Sequence, residues 1–103
     1  MFKGNEGEKI TLQEAEKFTE NYRKSEKAEA IKAEFIGKEL VNEILSQEKC
    51  VGLRLYFGKN EKGNLNIVVV GANKDGNDLY NGVIADKLPP CPPYCGTDSP
   101  LLG

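Results

Sequence analysis

The stretch at residues 50–73, CVGLRLYFGKNEKGNLNIVVVGAN, decides the fold of this chain. In its first half Val51, Leu53, Leu55 and Phe57 alternate with Gly52, Arg54 and Tyr56, which is typical of a half-buried strand. The second half, residues 67–70, is apolar on both faces, as in a central strand. The connection KNEKGN places Asn60 first and Gly63 last in a type I turn, with Gly63 free to adopt a positive φ. The stretch therefore predicts a β-hairpin.

An amphipathic helix is predicted before the hairpin, in the segment TLQEAEKFTENYRK. Thr11 stands three residues before Glu14, the spacing of a capping box at a helix start. The apolar stripe that follows has spacings of three and four and consists of Leu12, Ala15, Phe18, Thr19 and Tyr22.

The segment IKAEFIGKELVNEILSQ, residues 31–47, allows one long helix or a strand followed by a helix. On a single helix Ile31 and Phe35 would point away from Leu40 and Ile44, leaving apolar residues on both sides. Ile31, Ala33 and Phe35 alternate with Lys32 and Glu34, which is the period of a half-buried strand. We therefore predict a strand, a turn at Gly37, and a helix from Lys38.

These elements predict a single α+β domain at residues 11–86, with two helices packed on one face of a small, mainly antiparallel sheet of three to four strands. Residues 1–10 are polar and predict a flexible N-terminal arm. Residues 87–103 contain all five prolines and predict an irregular Pro/Cys-rich tail that cannot continue a sheet interior.

Composition excludes several classes of function. The net charge is −2 and the basic residues are dispersed, so no nucleic acid partner is expected. No apolar run is long enough to span a bilayer, no membrane partner is expected, and a cytoplasmic location is the default. Histidine is absent, which excludes Ser-His-Asp and Cys-His catalysis.

No cofactor and no metal are expected, and no catalytic residue is assigned. A structural zinc site needs four ligands, whereas the chain has three cysteines and no histidine. The loop GANKDGNDLY resembles a calcium loop in composition, but Gly71 would occupy the first ligand position and the closing glutamate is missing. A tight turn is the preferred interpretation of this loop.

The motif CPPYC leaves several interpretations open for the thiol pair Cys91 and Cys95. In a reducing compartment the two cysteines are expected to be reduced and packed, together with Tyr94, against the domain. A structural disulfide is geometrically compatible with a tight Pro-Pro turn. The spacing differs from Cys-x-x-Cys and no helix follows Cys91, which disfavours redox catalysis.

Arg54 lies in the middle of a predicted strand, on the face that carries Tyr56. The simpler interpretation is an exposed pair with an acidic residue. The functional interpretation is a partner-binding surface formed by Arg54, Tyr56, Tyr80 and Tyr94, since Arg and Tyr are enriched where proteins contact each other.

The segments ITLQEAEKFTENYR, FIGKELVNEILSQEKCVGLRLYFG, GANKDGNDLY and CPPYCG together resemble a group of short uncharacterised bacterial proteins. These proteins share a helix ending in Asn-Tyr-Arg, a Cys-x-Gly-x-Arg-x-Tyr strand and a terminal Cys-Pro-Pro-x-Cys-Gly motif. The resemblance covers residues 10–96 and implies that the tail cysteines and the Arg54 strand belong to a family pattern. It implies no activity.

The favoured function is a small non-enzymatic protein-interaction module or accessory subunit of a bacterial complex. Its partner would be another protein or a second copy in a homo-oligomer, bound through the sheet face, the sheet edge or the proline-rich tail. The alternative is a thiol-dependent protein, metal-binding or redox-responsive, that uses Cys91 and Cys95 with Cys50 as a third member. A small enzyme, with a carboxylate or tyrosine tuned by burial, is the least favoured class.

Overall fold

The computed structural model describes the whole chain, residues 1–103, and has the predicted α+β architecture. Strands β2, β3 and β4 form an antiparallel three-stranded sheet in that order, and β1 pairs with β5 in a separate two-stranded antiparallel sheet. The elements in chain order are α1 (Leu12–Ser25), β1 (Ala33–Glu34), α2 (Lys38–Leu45), β2 (Gly52–Lys59), β3 (Leu65–Ala72), β4 (Ile84–Ala85), β5 (Pro90–Cys91) and a C-terminal 3₁₀ helix (Pro100–Leu102).

The predicted hairpin is confirmed, with β2 and β3 paired over eight residues from Gly52 opposite Ala72 to Lys59 opposite Leu65. Gly63 has a φ of +81° and donates its N–H to the Asn60 carbonyl at 2.9 Å. The Asn60 side chain accepts the N–H groups of Lys62 and Asn64. This side-chain contact holds the turn closed.

The second predicted turn, at residues 73–77, has the same construction as the first. Gly76 has a φ of +85°, and the Asn73 side chain accepts the N–H groups of Asp75 and Asn77. Both turns have the sequence Asn-x-x-Gly-Asn. The oxygen of Asn73 that would serve a cation in a calcium loop is therefore used by the backbone of its own turn.

Helix α1 begins at the predicted capping box, in which Thr11 and Glu14 exchange side-chain and backbone hydrogen bonds. No residue of α1 is buried. The helix lies against the C-terminal 3₁₀ helix, where Arg23 donates from Nη1 to the Leu101 carbonyl at 2.6 Å, and Tyr22 donates its hydroxyl to the Ile31 carbonyl. Helix α2 instead packs against β2 and β3.

The break between a strand and a helix before Lys38 is confirmed, although the strand β1 has only two residues. The predicted apolar face of this strand is not buried, because Ala33 and Phe35 are exposed. The reason is that β1 pairs with β5 rather than joining the main sheet. The half-buried Glu34 instead directs its carboxylate to β3, where Oε1 accepts the Ile67 N–H at 2.8 Å.

The core lies between α2 and the sheet and is small. Ile44 of α2, Val69 of β3, Ala85 of β4 and Leu88 form its buried cluster. Gln47, just after α2, donates from Nε2 to the Ile44 carbonyl and accepts the Val83 N–H, which connects the helix end to β4.

The molecule is less compact than its mass predicts. Only eight of 103 residues are buried, and the accessible surface is 8025 Å². A folded monomer of 11.4 kDa exposes about 5,800 Å² by the usual mass scaling. The radius of gyration is 15.2 Å, against about 13 Å for a compact domain of this length. The chain therefore presents far more surface than a closed monomer of its size needs.

The tail that follows β4 contributes to the fold rather than only extending from it. Leu88 and Cys91 are buried, and Cys91 pairs with Ala33 across the β1–β5 sheet. No helix of the chain is both long enough and apolar enough to cross a membrane.

Candidate functional site

The apolar face of β2 is only half covered by the helix that packs on it. Leu53, near the start of β2, packs against the core cluster. Leu55 and Phe57 lie on the same face farther along, and their exposed fractions are 54% and 80%. On β3, by contrast, Val69 opposite Leu55 is buried and Ile67 opposite Phe57 packs against the core cluster, so the cover ends between β3 and the edge strand β2.

The outer edge of β2 is also unpaired. On β3, the Ile67 N–H donates to Glu34 and the Gly71 carbonyl accepts from Leu79, so these residues direct their backbone groups away from β2. The residues between them therefore form the ladder to β2, because backbone groups alternate in direction along a strand. The register then leaves the backbone N–H and C=O groups of Leu53, Leu55 and Phe57 pointing outward, where β2 has no neighbouring strand.

The N-terminal arm covers only the beginning of this edge. The Phe2 N–H donates to the Lys74 carbonyl, and its ring centroid lies 5.6 Å from the Arg54 guanidinium carbon. The arm passes so close to the start of β2 that a Cβ at Gly4 would lie 3.2 Å from the Val51 carbonyl oxygen. A cleft of about 370 Å³ between arm and strand reaches Leu55 and ends there. The segment from Leu55 to Lys59 carries no such cover, and we call it the open half of β2.

The opposite face of β2 carries a polar cluster formed by Arg54, Tyr56 and Asp78. Arg54 donates from Nη1 to Asp78 Oδ1 at 2.7 Å and to the Gly76 carbonyl at 2.9 Å. Tyr56 donates its hydroxyl to the other carboxylate oxygen of Asp78. This agrees with the simpler sequence interpretation, in which Arg54 pairs with an acidic residue.

The shared hydrogen bonds change the titration of all three groups. The Tyr56 hydroxyl and the Arg54 guanidinium stabilise the Asp78 carboxylate and lower its pKa. The same carboxylate raises the pKa of Tyr56, chiefly through their hydrogen bond, and raises the pKa of Arg54. The cluster therefore holds its charges across the neutral pH range and fixes the turn after β3 to the face of β2.

The four residues predicted as a partner-binding surface do not share one cluster of contacts. Arg54 and Tyr56 are joined through Asp78, whereas Tyr80 is 71% exposed and forms no side-chain hydrogen bond. Tyr94 is also well exposed and lines a separate groove of about 1090 Å³, together with Phe35, Lys59 and Pro90. Their role in binding a partner stays a prediction.

Cys91 and Cys95 form a disulfide whose Cα atoms are 4.8 Å apart. Cys91 is buried and Cys95 is exposed, and Tyr94 between them points into water rather than packing on the domain. Cys50 is a free thiol that donates to the Gly52 carbonyl and lies close to Gly71. No three Cys, Asp or Glu side chains are grouped so that they could hold a metal ion.

Comparisons with protein-family models, with curated proteins and with solved structures find no match to this chain.

Sequence reasoning missed the exposure of Leu55 and Phe57 and the roles of Phe2, Glu34 and Asp78. The alternating pattern placed Leu55 and Phe57 on the apolar face correctly, but it assumed that a helix covers that face. No local pattern in the sequence showed that the core would lie over β3 and β4 and leave the edge strand β2 uncovered. No sequence pattern pointed to Asp78, which reaches Arg54 across 24 residues of chain.

Proposed function

We propose that this chain is a small protein-interaction module, an accessory subunit that binds a protein partner through the open half of β2. One observation carries the proposal: the outward backbone groups of Leu55 and Phe57 lie beside their own exposed apolar side chains. Unpaired backbone groups on an edge strand offer main-chain hydrogen bonds, and the neighbouring side chains supply contact area.

The size of the exposed surface supports this proposal. The excess over a compact monomer is about 2,200 Å², whereas a standard interface removes about 800 Å² from each partner. One specific interface could therefore use less than half of the excess. Partner binding would also bury Phe57, the most exposed aromatic side chain of the sheet.

The polar cluster supports a role in holding this surface rather than in chemistry. Both carboxylate oxygens of Asp78 accept hydrogen bonds, and Nη1 of Arg54 has two acceptors. These contacts hold Arg54, Tyr56 and Asp78 in one fixed arrangement. They also keep Tyr56 in place within the open half of β2.

A redox-responsive role for the thiols is the second candidate, because Cys91 and Cys95 form a disulfide. A cytoplasmic location, which the sequence favours, would keep this pair reduced, whereas an oxidising compartment would keep the bond. Alkylation of free thiols in intact cells before lysis, followed by mass measurement, distinguishes the reduced pair from the disulfide. One modified cysteine, Cys50, indicates the disulfide, and three modified cysteines indicate a reducing compartment.

The proposed function is tested in the cells that express the chain. The wild-type protein should migrate in native extracts in a complex heavier than its own 11.4 kDa. Phe57→Glu should abolish the complex, because it places a charge in the apolar centre of the contact. Phe18→Glu, a change at an exposed phenylalanine of α1, is the matched control and should leave the complex intact. If the wild-type chain migrates as a monomer in these extracts, the proposed function is wrong.

A further inference from the structure

We infer that the occupant of the open half of β2 is a second copy of this chain. In this arrangement two β2 strands pair antiparallel about a twofold axis at Tyr56, and the two three-stranded sheets become one sheet of six strands. The inference rests on the proposed function and names its partner. The area supports it as well: the chain exposes about 2,200 Å² more than a compact monomer of its mass, and a standard interface removes about 800 Å² from each partner.

The open half of β2 has few of the features by which proteins usually prevent strand pairing. Protected edge strands carry prolines, bulges or outward charges, or they are covered by another segment. β2 contains no proline, and its ladder with β3 is regular over eight residues. Its only charges are Lys59 at the far end and Arg54, whose guanidinium is held by Asp78. Between them lies the uncharged run Leu55-Tyr56-Phe57-Gly58.

The direction of the backbone groups limits the registers that two copies can adopt. Leu53, Leu55, Phe57 and Lys59 point outward, so an outward residue of one copy must lie opposite an outward residue of the other. A slip by one residue breaks this match and turns the side chains to the wrong face. The registers that remain differ from one another in steps of two residues: each step moves the partner residue opposite a given position by two and the twofold axis by one.

Of these, the register centred on Tyr56 fits best. It places Leu55 opposite the partner's Phe57 and Phe57 opposite the partner's Leu55, so the exposed apolar side chains cover one another. A register centred on Leu55 needs the segment at Val51, which the arm approaches closely at Gly4. A register centred on Phe57 places Phe57 opposite the partner's Phe57 but Leu55 opposite the partner's Lys59, so the exposed side chain of Leu55 gains no apolar neighbour directly opposite.

Charge placement is also compatible with the register centred on Tyr56. On the polar face, Arg54 lies opposite the partner's Gly58 and so does not meet a second arginine. Lys59 lies opposite the partner's Leu53 rather than the partner's Lys59. Like charges directly opposite one another destabilise a sheet, and this register contains no such pair.

The oligomeric state of the purified chain tests the inference. Light scattering after size exclusion should give twice 11.4 kDa for the wild type, and Phe57→Glu should give the monomer. Phe18→Glu is the control and should remain a dimer. Circular dichroism and the urea midpoint verify that each variant is folded, so loss of the dimer is not mistaken for unfolding.

The register is tested by cross-linking. Tyr56 would face its copy in a non-hydrogen-bonded pair, with Cα atoms about 4.5 Å apart, which lies within the range of disulfides. In a Cys50→Ser background, Tyr56→Cys should therefore form a covalent dimer under mild oxidation. Tyr80→Cys, at an exposed tyrosine outside β2, is the control and should stay monomeric on a non-reducing gel.

Each result decides between the alternatives. A dimer that is lost in Phe57→Glu and is trapped by Tyr56→Cys supports the inference. A dimer that survives Phe57→Glu, or that Tyr56→Cys does not trap, overturns it. A monomeric wild type also overturns it. If the purified chain is a monomer but Phe57→Glu abolishes a heavier complex in native extracts, the proposed function holds and the partner on β2 is a different protein.

Discussion

Arg54 of β2 and Asp78, in the loop after β3, form an ion pair with 2.7 Å between Nη1 and Oδ1. The two side chains are 32% and 21% exposed, so the pair is partly shielded from water. The Asp78 carboxylate also accepts the Tyr56 hydroxyl. One carboxylate therefore joins the loop to two residues of the strand that we propose as the binding surface.

The first prediction concerns the acid range. The folded-state pKa of Asp78 lies below its ordinary value of 3.8, so its contribution to stability is present above that value and is lost as the pH falls through the folded-state pKa. Asp78→Asn should therefore be less stable than the wild type near neutral pH, and the difference should shrink in acid. Urea unfolding over a pH series measures this.

Asp75→Asn is the control, because the Asp75 carboxylate forms neither an ion pair nor a side-chain hydrogen bond. If the free energies of unfolding of the wild type and Asp78→Asn differ by the same amount at all pH values, the ionisation of Asp78 is not coupled to stability.

The second prediction concerns the Tyr56 hydroxyl, whose pKa is raised above 10.0 by its hydrogen bond to Asp78. The stability from this bond is present below pH 10.0 and is lost as the pH rises through the folded-state pKa of Tyr56. The difference between the absorbance titrations of the wild type and of Tyr56→Phe isolates the ionisation of Tyr56. In Asp78→Asn the same transition should move to lower pH, and an unmoved transition would show that the bond does not control it.

The third prediction concerns the close packing of α2 on β3 at Gly71. A Cβ there would lie 2.8 Å from the Cys50 sulfur and 3.3 Å from a methyl carbon of Ile44. Gly71→Ala should destabilise the fold by about 1–3 kcal/mol, the usual cost of overpacking a core. Gly52→Ala is the control within the same sheet, since a Cβ at Gly52 meets no atom within 4 Å. Equal urea midpoints for the two variants would be inconsistent with this packing.

The fourth prediction concerns Glu34, which accepts the Ile67 N–H at a point where β4 no longer pairs with β3. Glu34→Ala leaves this half-buried donor without a partner, which costs about 1–3 kcal/mol. Hydrogen exchange at the Ile67 amide should accelerate as well. Glu29→Ala, at an exposed residue outside the helices and strands, is the control and should change neither quantity.

The fifth prediction concerns the Cys91–Cys95 disulfide, which closes a loop of only a few residues. In the chain-entropy model such a short loop contributes about 2 kcal/mol, so a phosphine reductant should lower the free energy of unfolding by about that amount. Cys95→Ala lacks the bond and should show no effect of the reductant. A similar response in both proteins would assign the effect to the reductant and not to the disulfide.

Local patterns in the sequence were sufficient to predict α1, α2, the hairpin of β2 and β3, and the two turns, but not β5 or the 3₁₀ helix, which lie in the stretch predicted to be irregular. The alternation in β2, the apolar run of β3, the Asn-x-x-Gly-Asn turns and the Thr11–Glu14 capping box all form as predicted, since each depends on contacts between residues close in the chain. The break before Lys38 was also predicted, because a continuous helix would have exposed apolar residues on both sides.

The candidate site depended on tertiary contacts that no local pattern contains. Asp78 reaches Arg54 across 24 residues, Glu34 reaches Ile67 across 33, and Cys91 of the tail pairs with Ala33. These pairings depend on how the helices and strands pack against one another. That packing depends on the sum of many weak contacts between residues far apart in the chain.

The sequence by itself thus determined the α+β class, the hairpin and which face of β2 is apolar. Only the tertiary structure decided which part of that face remains exposed. The core lies over β3 and β4, where Val69 and Ala85 are buried, so Leu55 and Phe57 of the edge strand β2 remain in water beside an unpaired edge.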